Sequence, residues 1–556
     1  MKQKKIFLLF FAFALIFGMY SCKKESFNIN QNPNNATDST VAYNVILPSA
    51  QNSTASLVAR NWGWLQNYLG YWSRSGTYAP NTEEETYQLT TNFQSGIWSG
   101  VYDNLYDYQT MQLSASKAGA TFFSGVARIM KAHDFAMLVD LYGNIPYSQA
   151  LRGAAVTTPR YDNGVDVSKD LLRQIDTAIA DIKAADESST GPNSTITAND
   201  IMFGEKNFSG TTIAEMKTRW AQFGNTLKLR ILTKFMNGGV ESNTNGTIGT
   251  AASYAIPEAA IQAEFAIIAA EGSGYLDFDA QAQPGYQSDK GNPFYNTYVA
   301  DNAGSATGNS VYYKANIYAV GDQTANIPGY YTFDGDDRAF EFYNTVSGKL
   351  RGVQYGLLPV TSNGASTLSS IGSGVSRGVD QPQWILTAAE SYFLQAECAN
   401  RGFISGDAAA LMYQGIYASY ESFGLTGADA QAYIDFNAGY PDVDYAAAEA
   451  VADGAVGGLF TIISQKWFAL NAIAPYEVWS DYRRVDISSS VNHFSYGSPV
   501  GFDPGPPISV APANVRTELP VRLLYPQNEY LYNAANVGAQ PSAGSYPFTH
   551  IFWDLN

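Results

Sequence analysis

Apolar residues recur at three- and four-residue spacing along much of this chain. Trp98, Val101, Leu105, Tyr108 and Met111 form one such stripe, and Leu171, Ile175, Ile179 and Ile182 form another behind a cap-like Asp166. That period puts each set on one face of a helix, and an apolar face must be buried. The same pattern predicts helices over Thr121–Tyr142, Ile213–Asn237, Pro257–Glu271, Leu386–Asn400, Asp407–Phe423 and Leu459–Leu470. Helix pairs therefore gather at the two ends of the chain. Between them, from Gly272 to Trp384, the pattern lapses into Gly, Ser, Asn, Asp and Tyr, with tracts such as TSNGASTLSSIGSGVSRG at Thr361–Gly378. This region reads as long loops with short strands. A second loop-rich tract runs from Asn492 to Asn514, where FDPGPP forbids regular structure. The expected fold is mainly α: tetratricopeptide-like helical pairs with large loop-rich insertions and a few short strands. No strict 34-residue period accompanies it.

The first residues follow a different pattern. Lys2, Lys4 and Lys5 precede an apolar run from Ile6 to Phe17, and Ser21 and Cys22 come before Lys23 and Lys24. That is a secretory leader. Counted generously to Tyr20, the run is still shorter than the roughly 18–20 residues a membrane span requires. Met19 at the third position before Cys22 suits an ordinary leader-peptidase site poorly, whereas MYSC resembles a loose lipobox. Cys22 is accordingly expected to carry lipid, two acyl chains being what stable anchoring takes. The Asn- and Ser-rich stretch Ser26–Thr40 then serves as a tether. The organisation expected is a leader over 1–21, a lipidated tether over 22–41, and a single domain over 42–556. Within that domain, helical repeats cover 42–271 and 385–491, the loop-rich insertion 272–384, and a closing segment 492–556.

Composition narrows the chemistry. The 556 residues are 46% hydrophobic, ample for a large core once the leader is removed. With 50 acidic against 33 basic residues the net charge is -17, and no Lys/Arg cluster follows Lys24, which argues against nucleic acid. The one other thiol, Cys398, reads as a small core residue. There are only three histidines, and HExxH, GxSxG and Walker patterns are all lacking. No catalytic residue, cofactor or metal site is assigned. Glu390 and Glu397, at i and i+7, stand about 10 Å apart, beyond a retaining carboxylate pair and marginal for an inverting one. A glycosidase whose carboxylates assemble only through the fold leaves no trace in spacing. DGDD at Asp334–Asp337 lacks the alternating ligands and closing Glu of a calcium loop. In WSDYRR, Asp481 beside Arg483 and Arg484 reads as a buried ion-paired corner. In RWAQFGNTLKLRIL, Trp220, Phe223, Leu227 and Ile231 form a core face, from which Lys228 and Arg230 are expected to reach solvent or helix ends.

Six segments in order resemble the SusD/RagB family of outer-membrane lipoproteins, in its SusD-like branch. They are NINQNPNNAT (Asn28–Thr37), HDFAMLVDLYGNIPYSQAL (His133–Leu151), RWAQFGNTLKLRIL (Arg219–Leu232), LTAAESYFLQAECANRG (Leu386–Gly402), QKWFALNAIAPYEVWSDYRRVD (Gln465–Asp486) and LPVRLLYPQNEYLYN (Leu519–Asn533). The resemblance runs from end to end. It implies a noncatalytic lipoprotein on the outer membrane, facing the cell exterior, that captures a nutrient glycan and delivers it to a TonB-dependent SusC-like transporter. An oligopeptide ligand of the same system is an alternative, and a helical scaffold or a secreted glycan hydrolase stands from other classes.

A noncatalytic site for either ligand needs flat rings for stacking and amides or carboxylates for orientation. Two segments have that makeup outside the helical stripes. NYLGYWSRSGTYAPN offers Tyr71, Trp72, Arg74 and Tyr78, and PGYQSDKGNPFYNTY offers Tyr286, Asp289, Asn292 and Tyr295. Each ring also has a plain alternative as core packing.

Overall fold

Helix α1 (Tyr43–Arg60) is the first element of the described residues, and it carries no clean stripe because polar groups share its buried face. Gln51 donates to Asp200 at 2.9 Å and Thr54 meets the Tyr108 hydroxyl at 3.0 Å. The computed structural model describes residues 42–236, 256–451, 455–485, 506–540 and 547–554. The leader, Cys22, the tether and the first part of the Asn492–Asn514 tract lie outside the described residues.

Helices stand where the stripes predict them. In α2 (Ser95–Ala118) the buried positions include Trp98, Val101, Leu105, Tyr108 and Met111, with Ile97, Asn104 and Ala115 beside them. Helix α3 (Thr121–Tyr142) is buried everywhere except Thr121, Arg128 and Lys131, so it forms the axis of the first half. Helix α4 (Gly164–Lys183) is capped by Asn163, whose side chain accepts from the Val165 amide; Asp166 lies in the first turn, where it favours the helix dipole without capping it. A Thr212/Glu215 capping box opens α5 (Ile213–Phe235), and α6 (Glu258–Glu271) follows. Neighbours in sequence pack together, α2 on α3, α3 on α4, α4 on α5. The second half repeats the arrangement with α7 (Ala388–Asn400), α8 (Ala408–Ser422), α9 (Gly427–Phe436), α10 (Ala455–Leu470) and α11 (Pro475–Val485), where α7 packs on α8, α10 and α5. Two crossings are close because of glycine. A Cβ at Gly125 would meet Ile182 at 2.5 Å, and one at Gly415 would meet the Phe393 ring at 2.7 Å. None of the helices among the described residues is long and apolar enough to cross a membrane.

The two helical halves are joined by buried charge. Arg230 on α5 pairs with Glu390 on α7 at 2.7 Å, and Lys234 binds Asp140 on α3 and, at 3.2 Å, Glu477 on α11. Glu397 on α7 takes Arg484 at 2.6 Å and Arg401 at 3.0 Å, while Asp481 takes Arg484 at 2.7 Å and Lys466 at 3.0 Å. Burial raises the Glu397 carboxyl, but the Arg484 and Arg401 guanidiniums outweigh it and hold the group at about 2. The ion-paired corner expected at WSDYRR is thus present. Lys228 and Arg230, however, are 0% and 2% exposed and reach neither solvent nor a helix end. The reason is that α5 is enclosed by three helices that each supply an acid: Asp176 and Glu264 reach Lys228 at 2.5 and 2.9 Å, and Glu390 reaches Arg230.

Closure of the core depends on contacts far apart in sequence. The Tyr71 ring stacks on Trp467 at 4.6 Å and its hydroxyl donates to the Trp467 carbonyl at 2.7 Å. Near the other end, the Leu523 amide donates to the Leu141 carbonyl at 2.9 Å, and the Tyr525 hydroxyl to Asn144 at 2.8 Å. Between the helical halves the chain forms short strands and single helical turns. Strand β1 (Trp72–Arg74) pairs antiparallel with β3 (Tyr313–Ala315) in the register Trp72↔Ala315, Ser73↔Lys314, Arg74↔Tyr313. Strand β2 (Ala280–Ala282) pairs with β4 (Gln383–Leu386) across a bulge at Ala280/Gln281.

Candidate ligand-binding site

The two ring-rich segments meet around Trp72 of β1, mostly beneath the surface. Trp72 is 1% exposed, with its ring 5.1 Å from Tyr298, 5.3 Å from Tyr313 and 6.4 Å from Phe294. Tyr71 is buried against Trp467. Arg74 is held by the Glu85 carboxylate and donates to the Tyr78 carbonyl at 2.8 Å and the Leu357 carbonyl at 2.9 Å. Tyr286 is 6% exposed and donates to Asn52 at 3.0 Å. Asn292 is buried, where it caps the turn Pro293–Tyr298 by accepting from the Tyr295 amide at 2.9 Å. These five candidates build the floor of the region and offer a ligand from solution little or no face. Large rings and bidentate cations serve a core as well as a binding surface, and here neighbouring elements enclose them.

Asp289 is exposed, and its carbonyl accepts from Asn302 at 3.1 Å. Tyr78 and Tyr295 keep part of their rings at the surface, on either side of the turn Gly308–Tyr312. Tyr78 donates to the Gly308 carbonyl at 3.2 Å and meets Tyr312 edge-on at 5.2 Å. On the other side, Tyr295, Tyr298 and Ser310 wall a cavity of about 270 Å³. Opposite them stand Asn344, Ser370, Ser373, Ser376 and Arg377. Asn344 donates to the Ile371 carbonyl at 2.6 Å and to the Ser370 hydroxyl at 3.2 Å, which fixes the amide plane. Arg377 lies 5.1 Å over the Trp384 ring and donates to the Gly374 carbonyl at 3.2 Å. The cavity therefore has rings on one wall, neutral hydroxyls and an amide on the other, and one guanidinium at its edge.

Buried groups below it are perturbed by their surroundings. Burial lowers the Lys314 ammonium, which donates to the Ser310 carbonyl at 2.8 Å. Burial pushes Glu84 up to about 7, against donors from Asn67 at 2.7 Å and Tyr355 at 3.1 Å. Among the described residues, His133 pairs with Asp134 inside α3 and His550 with Asp554, and neither lines the cavity. Glu390 and Glu397 are each committed to a guanidinium. A larger cavity, about 800 Å³, lies between α6 and α8, where Phe265, Phe403 and Ile404 share the lining with Gln262, Gln395 and Gln414.

Ser370, Ser373, Ser376 and Arg377 were hidden in the low-complexity tract Thr361–Gly378. Their residue types match those of any surface loop, and tertiary contacts such as the Tyr343–Ile371 bridge and the Gly372 amide bond to the Phe342 carbonyl fix the tract in place.

A family model described as "Starch-binding associating with outer membrane", of the SusD-like kind, matches residues 31–276 and 327–496. Among solved structures, a SusD homologue from Bacteroides fragilis aligns with a TM-score of 0.65 at 18% identity, over 92% of this chain and 100% of that one. A chitin-binding SusD homologue from Flavobacterium johnsoniae aligns with a TM-score of 0.61 at 20% identity, over 92% and 99%. A SusD/RagB family protein from Bacteroides thetaiotaomicron gives 0.65 at 18%, over 93% and 99%. None of the curated proteins matches significantly.

Proposed function

This chain belongs to the SusD/RagB family, in its SusD-like branch, and from that premise we propose that it captures a glycan and hands it to a TonB-dependent SusC-like transporter in the outer membrane. The observation that carries the reading is the cavity beside Tyr295. Sugar rings present apolar faces that stack on tyrosines, while their hydroxyls need neutral donors and acceptors of the kind supplied by Asn344 and the serines. A lining this poor in charge fits an uncharged oligosaccharide. The starch-binding description of the family and the chitin-binding relative from Flavobacterium johnsoniae point the same way. An oligopeptide is the second reading, favoured by Arg377, whose guanidinium would meet a carboxylate. Asp289, at the exposed end of the same segment, is assigned to the rim.

The remainder of the proposal concerns attachment. Cys22 becomes the acylated first residue, residues 22–41 form the tether, and 42–556 work as one domain on the cell exterior. Titration calorimetry of the full chain against maltooligosaccharides, chitooligosaccharides and oligopeptides tests the ligand class. Binding of a glycan without turnover is expected. Binding of peptides alone moves the assignment to the second reading, and turnover of any ligand removes the noncatalytic one. Labelling with a fatty-acid probe tests the anchor: Cys22→Ala should lose the label that the natural protein carries.

A further inference from the structure

A cavity of about 370 Å³ opens between α2, α3, α4 and the turn after Tyr147, and it shares no residue with the one beside Tyr295. Arg128 and Lys131, one turn apart on α3, line it together with Arg152. No Asp or Glu stands among its described lining residues, although the chain as a whole carries a net charge of -17. Interior lysines elsewhere are matched, since Lys228, Lys234 and Lys466 each reach a carboxylate. Lys131 instead donates to the Gln109 amide of α2. Burial and the neighbouring Arg128 guanidinium push its ammonium down to about 8. Arg128 donates to Gln174 of α4 at 2.6 Å and has Asp181 at 3.8 Å. Its Nε and the Gln112 Oε1 are buried without a hydrogen-bond partner. Arg152 is exposed at the rim, where it donates to the Ser148 carbonyl at 2.8 Å. Leu113, Phe135, Leu151 and Leu171 give the cavity an apolar side.

Three cations beside one acid, Asp181, leave a net charge of about +2 at the cavity. Asp170, which accepts from Gln174 at 3.2 Å, is answered by Arg173 and leaves that balance unchanged. Like charges gathered at half-buried positions repel, and an anion relieves them. We propose that this cavity binds a phosphate monoester carried on a small organic body, with the guanidiniums of Arg128 and Arg152 and the ammonium of Lys131 meeting the phosphoryl oxygens. Charge selects the anion. A monoester is close to dianionic at neutral pH and matches the surplus, whereas a carboxylate or a sulfate ester brings a single charge. Guanidiniums offer paired N–H donors to phosphoryl oxygens, and lysine adds a point charge. The apolar side takes the carbon skeleton, within a volume usual for small-molecule sites. The unanswered Arg128 Nε and Gln112 Oε1 mark a polar network that is incomplete without a ligand. This site stands independently of the glycan reading, because the two cavities have no side chain in common.

The test is titration calorimetry of the full chain in nonionic detergent, at neutral pH and low salt, with glucose 6-phosphate, glucose 6-sulfate and glucose. The phosphate is expected to bind about tenfold or more tighter than the sulfate, and glucose reports any sugar bound elsewhere. Dihexanoyl phosphatidic acid separates the sources of the monoester. Tighter binding of that probe makes the natural ligand a lipid headgroup, and tighter binding of glucose 6-phosphate makes it a soluble phosphate. Lys131→Met keeps the aliphatic stem and removes one charge. It should weaken whichever monoester binds by about tenfold or more. The unmodified protein gives an answer even if the variant does not fold: binding of neither monoester, or of glucose 6-phosphate no better than the sulfate, overturns the proposal. Undiminished binding by a folded Lys131→Met protein overturns it equally.

Discussion

At the scale of single residues, the same ring can be a wall or a beam, and burial decides which. Tyr295 keeps a face at the cavity while Trp72 is enclosed by Tyr298, Tyr313 and Phe294. Tyr295→Ala is therefore expected to leave the thermal midpoint nearly unchanged and to weaken glycan binding by about 1–2 kcal/mol, read by calorimetry. Trp72→Ala should do the reverse, costing about 3–5 kcal/mol of stability in a denaturant titration. Glu84 makes a second residue-level prediction. Its folded pKa is about 7 against a usual 4.5, so its contribution to stability is complete below about 4.5 and is lost as pH rises through 7. Glu84→Gln removes that loss. The variant should be more stable than the natural protein at pH 8, by about 3 kcal/mol, and lose this advantage at pH 4. An advantage that does not change with pH would show that Glu84 is ionised throughout.

At the scale of elements, the long helices were legible because each buries a stripe along most of its length. Those of α2 and α4 matched residue for residue. Where polar side chains turn inward, as Gln51 and Thr54 do on α1, the stripe dissolves and the helix escapes notice. The insertion was legible only as loops, since its single helical turns are too short to carry a period and its strands run two to four residues. The cavity was legible in one member, Tyr295. The rest of its lining consists of serines and an asparagine whose common direction is fixed by tertiary contacts. The family's diagnostic segments, meanwhile, carry the fold: Arg230, Glu390, Glu397 and Arg484 are spent on pairing helices with one another. Helix packing also inverts a common rule. Replacing a mid-helix glycine by alanine ordinarily gains about 1 kcal/mol, but at Gly415 the new methyl would stand 2.7 Å from the Phe393 ring. Gly415→Ala is expected to lower the denaturant midpoint, and a rise would mean that α7 and α8 separate freely.

At the scale of the whole molecule, buried ion pairs within and between the helical halves set the response to acid. Glu397 and Glu477 are both held at about 2 by neighbouring cations, outweighing burial. Their contribution is complete above the usual 4.5 and is lost as pH falls through 2. Denaturant midpoints measured from pH 5 down to pH 2 should fall steeply, and Glu397→Gln should start lower, by about 3–5 kcal/mol, with a shallower acid limb. The contacts that close the core carry a consequence for how the molecule is made. Tyr71 waits for Trp467, and Leu141 and Asn144 wait for Leu523 and Tyr525, so helices that leave the ribosome first cannot complete their packing until nearly the whole polypeptide has been synthesised. Non-local closure of this kind is slow. The export proposed above is compatible with that delay, because a chain that has not yet buried its core can enter a translocation channel as a thread.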